Sequence, residues 1–285
     1  MSDETDEPNP SGVDPRNSLN ELTGREWTYA LRSVISTRYP TRGPEAYAHD
    51  LRRTHPSPKP PQLVAELLRF FTRHDGHVLD PFAGVGGTLL ACSLEGRSAV
   101  GVDLSPEYAA TYAAVCERLA LAPQPYRVGD ARCLADFPEV RERPFELILT
   151  DPPYAAMMAR AKTGEHKKRG RGAATPFTAS PDDLGNLGYS AFLPALRTII
   201  AGALPFLRSR GHLVIFTKDL QPTPEHHNML HADIVVALRE LPGLEYRGYR
   251  IWHDQSLNLY PFGYPFAFVS NQVHQFILIF RYCPQ

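Results

Sequence analysis

A chain of 285 residues, 43% hydrophobic and 21% charged, is long enough to bury a full core and fits one large α/β domain with insertions. Its formal net charge of −1 means that any polyanion-binding surface must come from segregation of charge, not from excess. No apolar run of about eighteen residues marks a membrane helix. Cys92, Cys116, Cys133 and Cys283 are widely spaced and form no C-x-x-C pair, which argues against zinc and a disulfide framework and leaves each as a small core residue.

The opening stretch MSDETDEPNPSGVDP carries five acids, three prolines and no base, which predicts a disordered acidic tail over 1–17 and not a signal peptide. Residues 18–285 read as a single domain. From 18 to 38 the pattern predicts a helix opened near Leu22 and Thr23 and ended by Pro40, with Trp27, Leu31, Val34 and Ile35 on one face. After a Gly/Pro-rich linker, HPSPKP precedes PQLVAELLRFFTRH, an amphipathic helix. HVLDPFAGVGG is a short apolar strand running into glycines, followed by the helical TLLACSLEG. SAVGVDL is a second strand, and Ser105 and Pro106 open the next helix. YRVGDAR and PFELILTDPP supply strands three and four, a helix over 189–207 leads to the strand GHLVIFTKD, and ADIVVALREL, YRGYRIW and VHQFILIFR complete the alternation. Strands and helices alternating at this spacing predict a doubly wound, mostly parallel sheet, with an antiparallel strand at its C-terminal edge. Ligands of such sheets lie beyond the carboxyl ends of the strands, where the unusual residues of this chain stand.

Asp80 ends the first of these strands, and Gly84, Gly86 and Gly87 let the backbone approach a ligand at the next helix N-terminus. Asp103 ends the second strand about twenty residues on, where a carboxylate can accept both hydroxyls of a ribose. Asp130 ends the third. An NAD dehydrogenase shares the first two features, but the loop reads GVGG in place of G-x-G-x-x-G, and the DPPY that follows has no role in hydride transfer.

DPFAGVGGT, GVDL, GDA and DPPY together resemble the S-adenosylmethionine-dependent DNA amino-methyltransferases, which modify adenine N6 or cytosine N4. LTGREW and GYPFAFVSNQVHQFILIFR resemble a group of short stand-alone bacterial DNA methylases. The resemblance implies a Rossmann-like class I methyltransferase fold and S-adenosylmethionine as cofactor. Phe82, Gly84 and Gly86 would cradle its methionine portion, Asp103 its ribose and Asp130 its adenine amino group, with Asp80 in the same loop and Lys59 meeting its carboxylate. DPPY follows the cofactor run where the usual order for this style of run places it first, so the chain looks circularly permuted.

The same resemblance makes Asp151, Pro152, Pro153 and Tyr154 the catalytic loop. Proline lacks the backbone N–H and fixes φ, so the chain leaves the sheet in a preset turn. The Asp151 carboxylate and the carbonyl before the second proline can then converge on one exocyclic amine, with Tyr154 as stacking platform for a base flipped out of duplex DNA. Arg160, Lys162, Lys167, Lys168, Arg169 and Arg171 stand against a single acid, Glu165, within an insertion over 155–188, and are read as phosphate contacts. His226, His227 and His231 lack carboxylate or cysteine partners at ligand spacing and read as loop polars or DNA contacts, so no metal is expected. Of Trp252, Tyr260, Phe262 and Tyr264, most read as core.

Asp at the first loop position is more usual in adenine-N6 enzymes, whereas the likeness to short stand-alone methylases tips the reading to cytosine-N4, with adenine-N6 the alternative. An RNA or protein amino-methyltransferase and a non-catalytic DNA-binding subunit are the remaining readings. Double-stranded DNA is the expected partner in a cytoplasmic, nucleoid-associated protein. A homodimer and a cognate restriction nuclease are compatible with the resemblance.

Overall fold

The computed structural model describes residues 12–155, 176–222 and 227–284. Helices α1 (Gly24–Ala30), α2 (His49–Arg52), α3 (Pro61–Phe71), α4 (Gly87–Leu94), α5 (Pro106–Arg118), α6 (Pro138–Arg141), α7 (Tyr189–Ala203) and α8 (Leu230–Leu238) alternate with eight strands. The strands are β1 (Val34–Thr37), β2 (His77–Asp80), β3 (Ser98–Asp103), β4 (Tyr126–Val128), β5 (Phe145–Thr150), β6 (Leu207–Thr217), β7 (Leu244–Asp254) and β8 (His274–Tyr282). They form one sheet in the order β1-β7-β8-β6-β5-β2-β3-β4. β8 runs antiparallel to both neighbours, and the other pairs are parallel. This antiparallel strand lies between β6 and β7, because β7 and then β1 add outside it and β1 takes the edge.

Alternation along the strands splits the core into two layers. Leu79, Val100, Ile148, Ile215 and Leu278 face a layer built with α7 and α8. Val78, Ala99, Leu147, Val214 and Ile277 face the opposite layer with α3 and α4. The apolar stretch Tyr189–Phe206 is, by length and composition, long enough to cross a membrane, contrary to the expectation of no such run. Here it packs Phe192, Leu196, Ile199 and Ile200 into the sheet core.

The leader departs from its predicted single helix. Thr23 caps α1 through a capping box with Glu26, but α1 stops at Ala30, and Val34 to Thr37 pair in parallel with Ile251 to Asp254. The β-branched run Val-Ile-Ser-Thr favours a strand, and Ile35 is fully buried by that pairing. Asn17, read as the end of a disordered tail, instead donates to Asn20 Oδ1 at 2.8 Å, and Asn20 in turn reaches the Phe70 carbonyl at 2.7 Å. Cys92 and Cys116 are buried as expected, whereas Cys133 is exposed.

Candidate active site

Parallel register brings the strand-end acids to one end of the sheet. Asp80 pairs with Gly101 in β3, two residues short of Asp103, and Leu79 pairs with Ile148, three short of Asp151. One cleft along these ends is lined by Phe82, Gly84, Asp103, Asp130 and all four residues of Asp151–Tyr154, and holds about 760 Å³ including its open mouth. That size suits a nucleoside-sized ligand. A continuation lined by Lys59, Asp80, Gly84, Gly87 and Asp151 runs beneath the glycine loop.

Gly84 and Gly86 hold φ of 50° and 76°, the left-handed region that favours glycine. A Cβ on Gly86 would collide with the Tyr112 ring, which is 2% exposed. The Gly84 amide donates to Asp103 Oδ2 at 2.8 Å and the Ser105 amide to Oδ1 at 2.9 Å, so one carboxylate fixes the turn and faces the cleft. Burial pushes the Asp103 carboxyl above its ordinary value. Asp80 is 3% exposed and accepts from the Phe82 amide at 3.1 Å and the Thr150 hydroxyl at 2.7 Å. Burial moves its carboxyl up to about 6, against those hydrogen bonds. Asp130 is held by Arg132, whose Nε lies 2.9 Å from Oδ2, so its carboxylate is already engaged by a cation at the cleft wall.

Lys59, expected at a cofactor carboxylate, donates to Asp151 Oδ2 and lies 3.3 Å from the Tyr154 hydroxyl. Arg52 positions it: 2% exposed, its guanidinium binds the Lys59 carbonyl at 2.9 Å and the Tyr47 carbonyl at 3.0 Å. The Tyr154 hydroxyl donates to Asp151 Oδ1 at 2.7 Å, and its ring is 7% exposed. A ring so covered offers no open face to a flipped base, which corrects the platform role read from the sequence.

Four cleft residues escaped the sequence reading. His55 stacks on Phe177 with centroids 5.1 Å apart and meets Tyr108 edge-on at 5.0 Å. Burial and the nearby Lys59 push its imidazole down to about 3, so it is neutral. Asp183, 3% exposed, accepts from the Thr178 amide and hydroxyl and pins the Phe177 segment to the cleft. His55 stands in the stretch HPSPKP, but nothing there announces an aromatic wall. The insertion read as basic therefore contributes its described end, from 176 onward, to the cleft itself. Arg160, Lys162, Lys167, Lys168, Arg169 and Arg171 lie outside the described residues, as does His226. His231 pairs with Asp219 at 2.7 Å and His227 with Asp233 at 3.1 Å. No group of three or more potential metal ligands converges among the described residues.

The sheet order and the glycine-loop cleft define the class as that of the S-adenosylmethionine-dependent methyltransferase fold. NSun6 from Pyrococcus horikoshii, solved with SFG, shares that fold at a TM-score of 0.50 and 16% identity, over 80% of this chain and 53% of the other. Residues 4–114 match the N6/N4 methyltransferase family described as DNA methylase, and the chain belongs to that family. A tRNA (guanine(10)-N2)-dimethyltransferase of Pyrococcus abyssi is 31% identical over 102 residues, covering 35% of this chain and 30% of the relative. The type II methyltransferase M.XycI of Xanthomonas campestris pv. cyanopsidis is 43% identical over 49 residues, 17% of this chain and 16% of its own. The chain thus spans well under half the length of these curated relatives.

Proposed function

We propose that the protein transfers a methyl group from S-adenosylmethionine to an exocyclic amino group of a DNA base, with cytosine N4 favoured narrowly over adenine N6. One observation carries the reading: the glycine loop with Asp103 and the turn Asp151–Tyr154 line the same cleft. The cofactor fits the residues present. Gly84 and Gly86 leave a cradle that a Cβ would close, Asp103 offers oxygens toward the cleft, and the half-buried rings of Phe82, His55 and Phe177 supply apolar walls. When bound, the cofactor supplies an electrophilic methyl on a sulfonium.

The remaining chemistry falls to this chain. An exocyclic amine is a poor nucleophile because its lone pair is delocalised into the ring. Hydrogen bonds from its two N–H groups to the Asp151 carboxylate and the Pro152 carbonyl favour a tetrahedral nitrogen and localise that pair. Methyl transfer is then a direct displacement in which the nitrogen forms its new bond as the sulfur keeps the bonding electrons, and the amine proton leaves to solvent. Positioning and electrostatics supply most of the acceleration. Lys59 neutralises Asp151 in the resting site, and the cofactor carboxylate gives Lys59 a second anion that releases Asp151 to the amine.

The base needs a stacking surface other than Tyr154. The loop 255–273 leaves β7 at the same end of the sheet as Asp151 and returns as β8, whose Gln275 Oε1 lies 3.4 Å from the Tyr154 hydroxyl. Asn271 clasps Tyr260 at both backbone amide and carbonyl, 2.9 and 2.7 Å, while Phe266 and Phe268 are each 94% exposed. These rings stack on bases in our reading, and the cations at 160–171 contact phosphates. A cytoplasmic, nucleoid-associated location goes with this substrate.

The names of the archaeal tRNA guanine-N2 relatives favour one second reading, an RNA amino-methyltransferase. Incubating the protein with methyl-labelled S-adenosylmethionine and either genomic DNA or tRNA, then digesting to nucleosides for mass spectrometry, separates the readings. N4-methylcytosine supports the first choice, N6-methyladenine the alternative base, and N2-methylguanosine the RNA reading. No label in any nucleoside would sink the proposal.

A further inference from the structure

A second groove opens at the opposite end of the sheet, where the parallel strands begin, between β6, β7, β8 and helices α1 and α3. Arg208, Arg210, Arg247, Arg250, Arg281 and His212 line it, and its described lining contains no acid. Two of the arginines have partners: Arg208 binds Glu146 at 3.1 Å, and Arg247 lies 3.7 Å from Glu245. Arg210, Arg250 and Arg281 make no ion pair among the described residues.

Arg250 carries the inference. It is 5% exposed, its guanidinium sits 5.0 Å above the Phe70 ring, and it makes no hydrogen bond among the described residues. A cation desolvated to this degree without an anion is costly, and its remaining access is to the groove. The Arg281 Nε and His212 Nδ1 are also buried without partners. His212 sits opposite Arg281 in the β6–β8 register, and burial, with Arg281, Arg208 and Arg247, pushes its imidazole down to about 4, so it remains neutral among the arginines.

The cations spread over three adjacent strands about 4.8 Å apart, which presents planar guanidinium forks to a row of anions and not to one. The aromatic rings of Trp27, Phe70 and Tyr249 line the same groove. Basic forks interleaved with rings suit a phosphodiester backbone with bases alongside it. We propose that this groove binds phosphates of a nucleic acid strand, as a second contact remote from the catalytic cleft. The proposal rests on the nucleic-acid reading of the cleft. From Arg208 to Thr217 along β6 is about 30 Å, so a strand reaching both sites spans about nine stacked nucleotides.

The test compares the full chain with the double variant Arg210→Gln/Arg281→Gln, whose residues lie outside the catalytic machinery. Tripolyphosphate is titrated while Trp27 fluorescence is followed, since Trp27 lines the groove and Trp252 is 4% exposed in the core. The expected result is binding by the wild type that weakens at least tenfold in the double variant, with unchanged affinity for S-adenosylhomocysteine. With duplex DNA, the slope of log K against log salt should fall by about 1.8, because two phosphates are no longer neutralised. Tripolyphosphate binding that is absent, or equal in both proteins, overturns the site. Weakened tripolyphosphate binding with an unaltered DNA slope overturns the nucleic-acid source and leaves a free phosphate ligand. Failure to methylate any nucleic acid is read in a separate assay and leaves the tripolyphosphate result standing, so the two failures are distinguishable.

Discussion

Lys59 and Asp151, 92 residues apart in the chain, form an ion pair at the centre of the cleft, and the Tyr154 hydroxyl occupies the other oxygen of the same carboxylate. Both carboxylate oxygens are therefore held before any substrate arrives. Asp151→Asn keeps the shape but loses the charge that pairs with Lys59. It should lower the rate of methyl transfer at least a hundredfold, the scale set by removing one preorganised electrostatic contact. Calorimetry with S-adenosylhomocysteine should find its affinity little changed. High residual transfer with lost cofactor binding would reverse the assignment of Asp151.

Asp103→Ala acts on the other half of the site. It removes the acceptor for two ribose hydroxyls and leaves the Gly84 and Ser105 amides without their partner. The cofactor Kd should rise between about tenfold and a few hundredfold, since hydrogen bonds to a charged group contribute about 1.5–3 kcal/mol each. An unchanged Kd would move the cofactor elsewhere.

Asp80 gives a pH prediction. Its folded carboxyl is raised to about 6 from an ordinary 3.8, burial being the main cause. Between those values the folded protein binds the proton that the unfolded chain has released, so this group makes stability fall as pH rises from about 4 to about 6. The shift corresponds to about 3 kcal/mol. Asp80→Asn retains an acceptor oxygen for Phe82 and Thr150 and removes the titration. Urea melts should place the variant up to about 3 kcal/mol further above the wild type at about pH 7.5 than at about pH 4. A difference that is flat with pH would show that Asp80 does not titrate in this window.

Phe266→Ser with Phe268→Ser tests the aromatic loop. Both rings are 94% exposed, so stability should stay within about 0.5 kcal/mol. Transfer to nucleic acid should fall about tenfold or more if each ring stacks on a base, since such stacking is worth about 1–3 kcal/mol. Unaltered transfer would remove these rings from the substrate path.

Much of the cleft is legible in the sequence, for a reason of geometry. A parallel strand must end where its hydrogen-bonding pattern ends, and Asp80, Asp103 and Asp151 each follow an apolar run short enough to be one buried strand. All strands of a parallel sheet end at the same side, so those acids had to meet. The two glycines with positive φ and the prolyl turn are likewise local properties, readable from residue type alone. What is not local is not readable. The stretch Val34–Thr37 fits a helix by periodicity and becomes a strand because β7 offers it an edge. Tyr154 looks like an open platform beside two prolines and is instead packed into the core, with its hydroxyl tied to Asp151. Lys59 meets Asp151 because Arg52 anchors its backbone from another turn. The arginine groove assembles from α1, α3 and three strands far apart in sequence, in a chain whose net charge is near zero. Sequence order carries the identity and conformational limits of each residue, so it determined the fold class and the acids of the cleft. Which side chains pair, which rings stay open and where charge collects depend on distances between segments that only the packed sheet sets.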